Sequence, residues 1–145
     1  MLKARPRQFA RSVVTYAWAF PNTAVGLLAM TLGALCSERV GGRTSQRVVD
    51  GVLEVHGGLV TWILTNCTLL EGGASAMTLG HVVLGRDEFL LDLTRDHERV
   101  HVRQCERWGP LFLPAYLLAS FYIFLRGGRV YRDNPFEREA YDAVP

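Results

Sequence analysis

The spacing of apolar and polar positions changes several times along this chain, and each change marks an element. Residues 12–36 carry no charge and follow a basic leader with Lys3, Arg5, Arg7 and Arg11. Such a run of twenty-five residues is long enough for a hydrocarbon core, and its positive flank would stay on the cytoplasmic side. Pro21-Asn22 interrupts it. A membrane anchor or membrane-lying hairpin is therefore the leading reading, a buried core helix the second, and a removed signal peptide, for want of an A-x-A site, the third.

Residues 37–46 are polar around Gly41-Gly42 and read as a loop. Beyond them Val, Ile, Thr and Trp become frequent. Residues 48–55 and 59–64 read as strands joined at Gly57-Gly58, and residues 76–85 as a third strand ended by Gly85-Arg86-Asp87. Over residues 96–108 the period turns helical. His97, Val100, His101, Gln104, Cys105 and Trp108 share one face, with Arg99, Arg103 and Arg107 nearly opposite as a solvated side. Gly109-Pro110 ends that helix, residues 111–125 form a second apolar segment, and a last helix opens at Asn134 with Pro135 in its first position. The expected fold is α+β: an apolar N-terminal helical region, a small antiparallel sheet, the helix of residues 96–108, a backing helix and a short C-terminal helix. Residues 1–36 form the leader and apolar segment, and residues 37–145 the domain proper.

Composition narrows the partners. At 145 residues, 49% hydrophobic and 21% charged, the chain is one globular domain's worth. Its net charge is only +2 and its arginines are spread from Arg5 to Arg138, so nucleic acid is not an expected partner. Three cysteines, Cys36, Cys67 and Cys105, form no disulfide framework.

The chemistry lies in His97-Glu98-Arg99-Val100-His101, an HExxH sequence. Two imidazoles at i and i+4 on a helix point the same way one turn apart, as a zinc site requires. Glu98, rotated by about 100° from His97, stands where a carboxylate can take a proton from a water at the metal's open position. Cys105 shares the histidine stripe, but it lies roughly 12 Å along the helix from His97, and zinc reaches its ligands at about 2.0–2.3 Å. It reads as packing. His81 has no partner histidine nearby and reads as structural. Trp62, Trp108, Tyr116 and Tyr122 read as core or interfacial aromatics.

The motif, followed by Trp108-Gly-Pro-Leu-Phe-Leu-Pro114 and Asn134-Pro-Phe-Glu-Arg-Glu-Ala-Tyr141, resembles the gluzincin class of zinc metallopeptidases. With the strand-like Thr78-Leu-Gly-His-Val-Val-Leu84, the chain is similar to their compact form, the minigluzincins, over residues 48–141. The resemblance implies His97 and His101 as zinc ligands, Glu98 as base and Glu137, in an ExxA context, as third ligand. Tyr141 stands where many relatives have aspartate. On a helix Glu139 faces roughly 200° away from Glu137, whereas Glu137 shares a face with Ala140 and Tyr141. At the third helical position Glu137 could instead be a capping-box carboxylate on the Asn134 amide. The function so implied is zinc-dependent hydrolysis of a peptide or protein substrate, held in extended form along residues 76–85. The alternative is a non-catalytic zinc-binding, membrane-associated interaction module.

The third ligand also constrains topology. Were residues 111–125 to cross a bilayer, Glu137 would have to return through about 30 Å of lipid. They read as a backing helix or a shallow membrane-facing surface. The expected location is membrane-associated through residues 12–36, and otherwise cytoplasmic.

Overall fold

A computed structural model of the chain describes residues 6–36, 42–68, 70 and 72–144. The first residues of the basic leader and half of the loop expected at 37–46 lie outside the described residues. The elements run α1 (Pro6–Leu35), β1 (Ser45–Val49), β2 (Val52–His56), α2 (Gly58–Asn66), β3 (Ala76–Leu79), β4 (Val82–Gly85), α3 (Glu88–Trp108), α4 (Phe112–Leu125) and α5 (Pro135–Ala143). The class is α+β with an apolar N-terminal helix, as expected. The sheet order is β1-β2-β4-β3.

That sheet is mixed and not the antiparallel meander expected, because β2 and β4 run parallel. Three local features explain the difference. Residues 48–55 contain Asp50-Gly51, whose φ values of 48° and 77° are the two positive angles of a tight hairpin turn, so the run folds back as β1 and β2. Residues 76–85 likewise fold into a β3–β4 hairpin around Gly80-His81. Residues 59–64 belong to helix α2: Val60 and Leu64, one turn apart, are buried in one cluster with Val55, Leu79 and Val82. That burial overrides the β preference of Val, Thr and Ile. The helix then carries the chain across, which lets β4 lie parallel to β2.

Pleating sends alternate side chains to opposite faces. Val55, Leu79, Val82 and Leu84 meet α2 and the α1 residues Leu27 and Met30, while Val52 and Val83 meet Leu91 and Val102 of α3. Helix α1 runs unbroken through Pro21, so the segment is one helix and not a hairpin. It lies close to the sheet through small residues; a Cβ on Gly26 would stand 2.7 Å from that of Val82. Asn22 Nδ2 donates to the Gly109 carbonyl at 2.7 Å, and Thr23 Oγ1 accepts from the His81 amide at 3.0 Å. The opposite face of α1 leaves Val14, Trp18, Val25, Leu28 and Leu32 exposed. By length and composition, two helical stretches among the described residues, Val13–Leu35 and Glu88–Leu125, are long and apolar enough to cross a membrane.

Between the sheet and α3 lies a buried carboxylate. Glu54, 1% exposed, accepts from Arg47 Nε and Arg95 Nε at 2.9 Å each and from Arg99 Nη2 at 3.3 Å. Arg99 is thus tied down by the sheet and does not belong to a solvated side. Burial pushes the Glu54 pKa up, and the arginines more than reverse this, so it ends below the ordinary carboxylate value. The arginine side chains keep 16–29% of their surface and rehydrate if the acid is lost. Glu54→Gln should therefore cost about 1–3 kcal/mol in urea unfolding with unchanged metal content. An unshifted midpoint would show that the cluster contributes nothing to stability.

Candidate metal centre

The helix that carries HExxH begins eight residues before the expected start. Asp87 is its N-cap, accepting from the Leu90 amide at 2.7 Å. Helical spacing then sets His97 and His101 one turn apart with their Nε2 atoms at 3.2 Å. Helix α5 supplies the third group. It starts where the sequence places it, with Asn134 capping the Phe136 amide at 3.0 Å and Pro135 next. Asn134 Nδ2 also donates to Ser120 Oγ at 2.8 Å and to the Tyr116 carbonyl at 3.2 Å. These bonds fasten α5 to α4.

The Asn134 amide donates to the Tyr131 carbonyl at 3.1 Å, so Glu137 is not the capping-box carboxylate. Its Oε2 lies 3.2 Å from His97 Nε2 and its Oε1 3.4 Å from His101 Nε2. His97, His101 and Glu137 offer ligand atoms all within 4.8 Å of one another, and they could hold a metal ion. Glu139 turns away, to Gln104 Nε2 and Arg107. Glu98, 5% exposed, points to the edge strand, where Thr78 Oγ1 donates to its Oε2 at 2.6 Å. The Tyr116 hydroxyl donates to Glu137 Oε1 at 2.6 Å, and the Tyr131 hydroxyl stands 3.5 Å from His97 Nε2.

The hydrogen bonds show whether these residues fit a cation. Gln104 Nε2 donates to the Phe136 carbonyl at 3.0 Å and to Glu139 at 2.9 Å, so Gln104 Oε1 is the atom 2.8 Å from His101 Nδ1. That ring nitrogen must then carry a proton. Nε2 of a neutral His101 is thereby left as a lone pair facing His97 and a carboxylate, the form in which an imidazole can ligate a cation. The electrostatics agree. Burial pushes the Glu137 carboxyl up, but the two histidines and Tyr116 pull it down to about 2. Burial works to lower the His101 pKa, and the hydrogen bond and charge of Glu137 raise it above its ordinary value. Burial also raises Glu98.

An orienting bond of the Gln104 kind typically contributes a factor of about 10–100 in metal affinity. Gln104→Leu should weaken binding by at least that amount in a chelator competition, with a loss of about 1–3 kcal/mol in stability because the Phe136 carbonyl loses its donor. Unchanged affinity would show that the amide does not set the His101 tautomer.

Beneath the triad runs a cleft of about 340 Å³, with Glu98, His101 and Glu137 at one side and Met77, Leu79, Leu113 and Leu117 among its walls. Strand β3 borders it as the terminal strand of the sheet. Leu79 and Met77 pair inward with β4, and the Ser75 carbonyl bonds the Arg86 amide. By antiparallel alternation, Ala76 and Thr78 turn their backbone groups outward.

The four site residues singled out from the sequence are thus gathered in one place. Thr78 and Tyr131 were not among them. Cys105 packs with Ala19, Phe112 and Phe136, and burial pushes its thiol up to about 12. His81 stacks on Tyr16 at 3.9 Å and meets Glu106 through Nε2 at 3.0 Å, while its Nδ1 has no hydrogen-bond partner among the described residues. No protein-family model matches the chain, and no curated protein or solved structure matches it either.

Proposed function

We propose that this chain is a membrane-associated, zinc-dependent peptide hydrolase of gluzincin type. The observation that carries the reading is the convergence of His97, His101 and Glu137 beside a buried carboxylate, Glu98, that belongs to none of their mutual contacts. Two imidazoles and one carboxylate suit zinc and leave one position open. Zinc held there would polarise the scissile carbonyl and acidify the attacking water. Glu98 takes a proton from that water and passes it to the departing amine, so one water is consumed and one acid and one amine are released. Thr78 holds one oxygen of Glu98 and leaves the other for the water. The Tyr131 phenol, its pKa raised chiefly by burial, stays protonated as a donor at the rim. The outward backbone groups of Ala76 and Thr78 suit pairing with an extended peptide. The basic leader and the exposed apolar face of α1 support membrane association.

The test is digestion of an unfolded protein by the zinc-loaded full chain, read by mass spectrometry. New N-termini should appear, vanish with a zinc chelator and return when zinc is restored. A fully metallated protein that cuts nothing would contradict the reading and leave the zinc-binding interaction module.

A further inference from the structure

One wall of the cleft is α4, which packs through Leu113, Ala115, Tyr116 and Ala119 and leaves its other side open. Of its fourteen uncharged residues only Phe112 is buried, while Leu117, Leu118, Phe121, Tyr122, Phe124 and Leu125 are exposed. Leu117 belongs to two surfaces at once: it lines the cleft and is 63% exposed. Met77, on the edge strand opposite, does the same. The mouth of the cleft therefore opens directly onto the apolar face of α4.

What covers that face is indicated by its border. Beyond the helix, Arg126, Arg129 and Arg132 are exposed, and Asp133, bound to Arg129, is the single acid among them. The Arg126 guanidinium lies over the Tyr122 ring at 5.0 Å, an aromatic and a cation together at the edge of an apolar surface, as at a membrane interface. A second copy of this face would bring three more arginines and only Asp133, already bound to Arg129; anionic headgroups complement it. At about 1.5 Å per residue α4 is too short to cross a core of about 30 Å, and α5 brings Glu137 back to His97. A helix so placed can lie on a bilayer but not pass through it.

We infer that α4 seats the domain on an anionic bilayer surface, and that the cleft takes its substrate from there: an apolar segment of a membrane-inserted polypeptide, drawn out along β3. A strand leaving lipid needs partners for its backbone groups, and the outward amides and carbonyls of Ala76 and Thr78 supply them at the cleft. The substrate half of this inference rests on the hydrolytic function proposed above; the docking half does not.

The experiment uses the zinc-loaded full chain diluted out of detergent into vesicles of phosphatidylglycerol and phosphatidylcholine, or of phosphatidylcholine alone. Amide hydrogen exchange over residues 117–125 should slow on the anionic vesicles and not on the neutral ones. The variant Leu118→Lys/Phe121→Lys changes two exposed side chains outside the cleft and should lose that protection while keeping its zinc. One apolar peptide is then offered free in solution or anchored in the anionic vesicles. Confinement to the surface should make the anchored form at least about tenfold faster to cleave, and the double variant, whose cleft is no longer seated at the surface, should lower that ratio several-fold. Exchange unaffected by vesicles, or slowed by protein concentration alone as in self-association, would overturn the docking. Equal cleavage of both peptides would overturn the substrate class. Cleavage of neither, with zinc bound, would instead count against the hydrolytic function, and the exchange data would still decide the docking.

Discussion

Glu98→Gln is expected to keep its metal and lose its hydrolysis, with kcat lowered by about 10²–10⁴-fold. The substitution preserves size, and the amide oxygen can still accept from Thr78 Oγ1, which now bonds Glu98 Oε2 at 2.6 Å. It removes only the ability to take a proton from water. Glu98 is not one of the three groups that converge on a cation position, so zinc content should match the wild type. Thermal stability should hold or rise, because a carboxylate that is only 5% exposed is replaced by a neutral group that costs less to bury. Turnover at the wild-type rate would show that Glu98 is not the base.

The second large effect separates two glutamates only two residues apart. Glu137→Gln should weaken zinc binding by more than the factor of about 10–100 typical of an orienting partner, since it takes the one negative charge from among the converging groups. Glu139→Gln should leave affinity within a few-fold, because that side chain contacts Gln104 and Arg107 and no imidazole. Chelator competition on the two purified variants makes the comparison. Equal zinc retention would reduce Glu137 to a structural residue, and the reverse pattern would make Glu139 the ligand.

What the sequence reveals about this site follows from how local each feature is. His97 and His101 are legible because one helical turn joins them, and α5 because Asn134-Pro135 is a start signal that needs no tertiary partner. Glu137 was separable from Glu139 by helical facing together with the gluzincin likeness. Only the structure excludes the capping box, by pairing the Asn134 amide with the Tyr131 carbonyl. Thr78 and Tyr131 reach the site from 20 and 34 residues away, a separation that leaves no periodic trace. The sheet is less legible for a different reason. Asp50-Gly51 is a turn signal set within a run of strand-forming residues, and the run outweighs it when read along the chain. The β-branched residues of α2 favour a strand until Val60 and Leu64 find their shared core. Since the parallel pairing of β2 with β4 depends on that helix, the state of one short segment sets the topology of the whole sheet.

The most direct test of the metal centre is elemental analysis by inductively coupled plasma mass spectrometry of the full chain, purified without any chelator. One zinc per chain is expected, as three protein ligands with one open position define a single site, and His97→Ala and His101→Ala should each lose it. Absence of stoichiometric metal from the wild type, or undiminished metal in both variants, would contradict the zinc site and the hydrolase built on it.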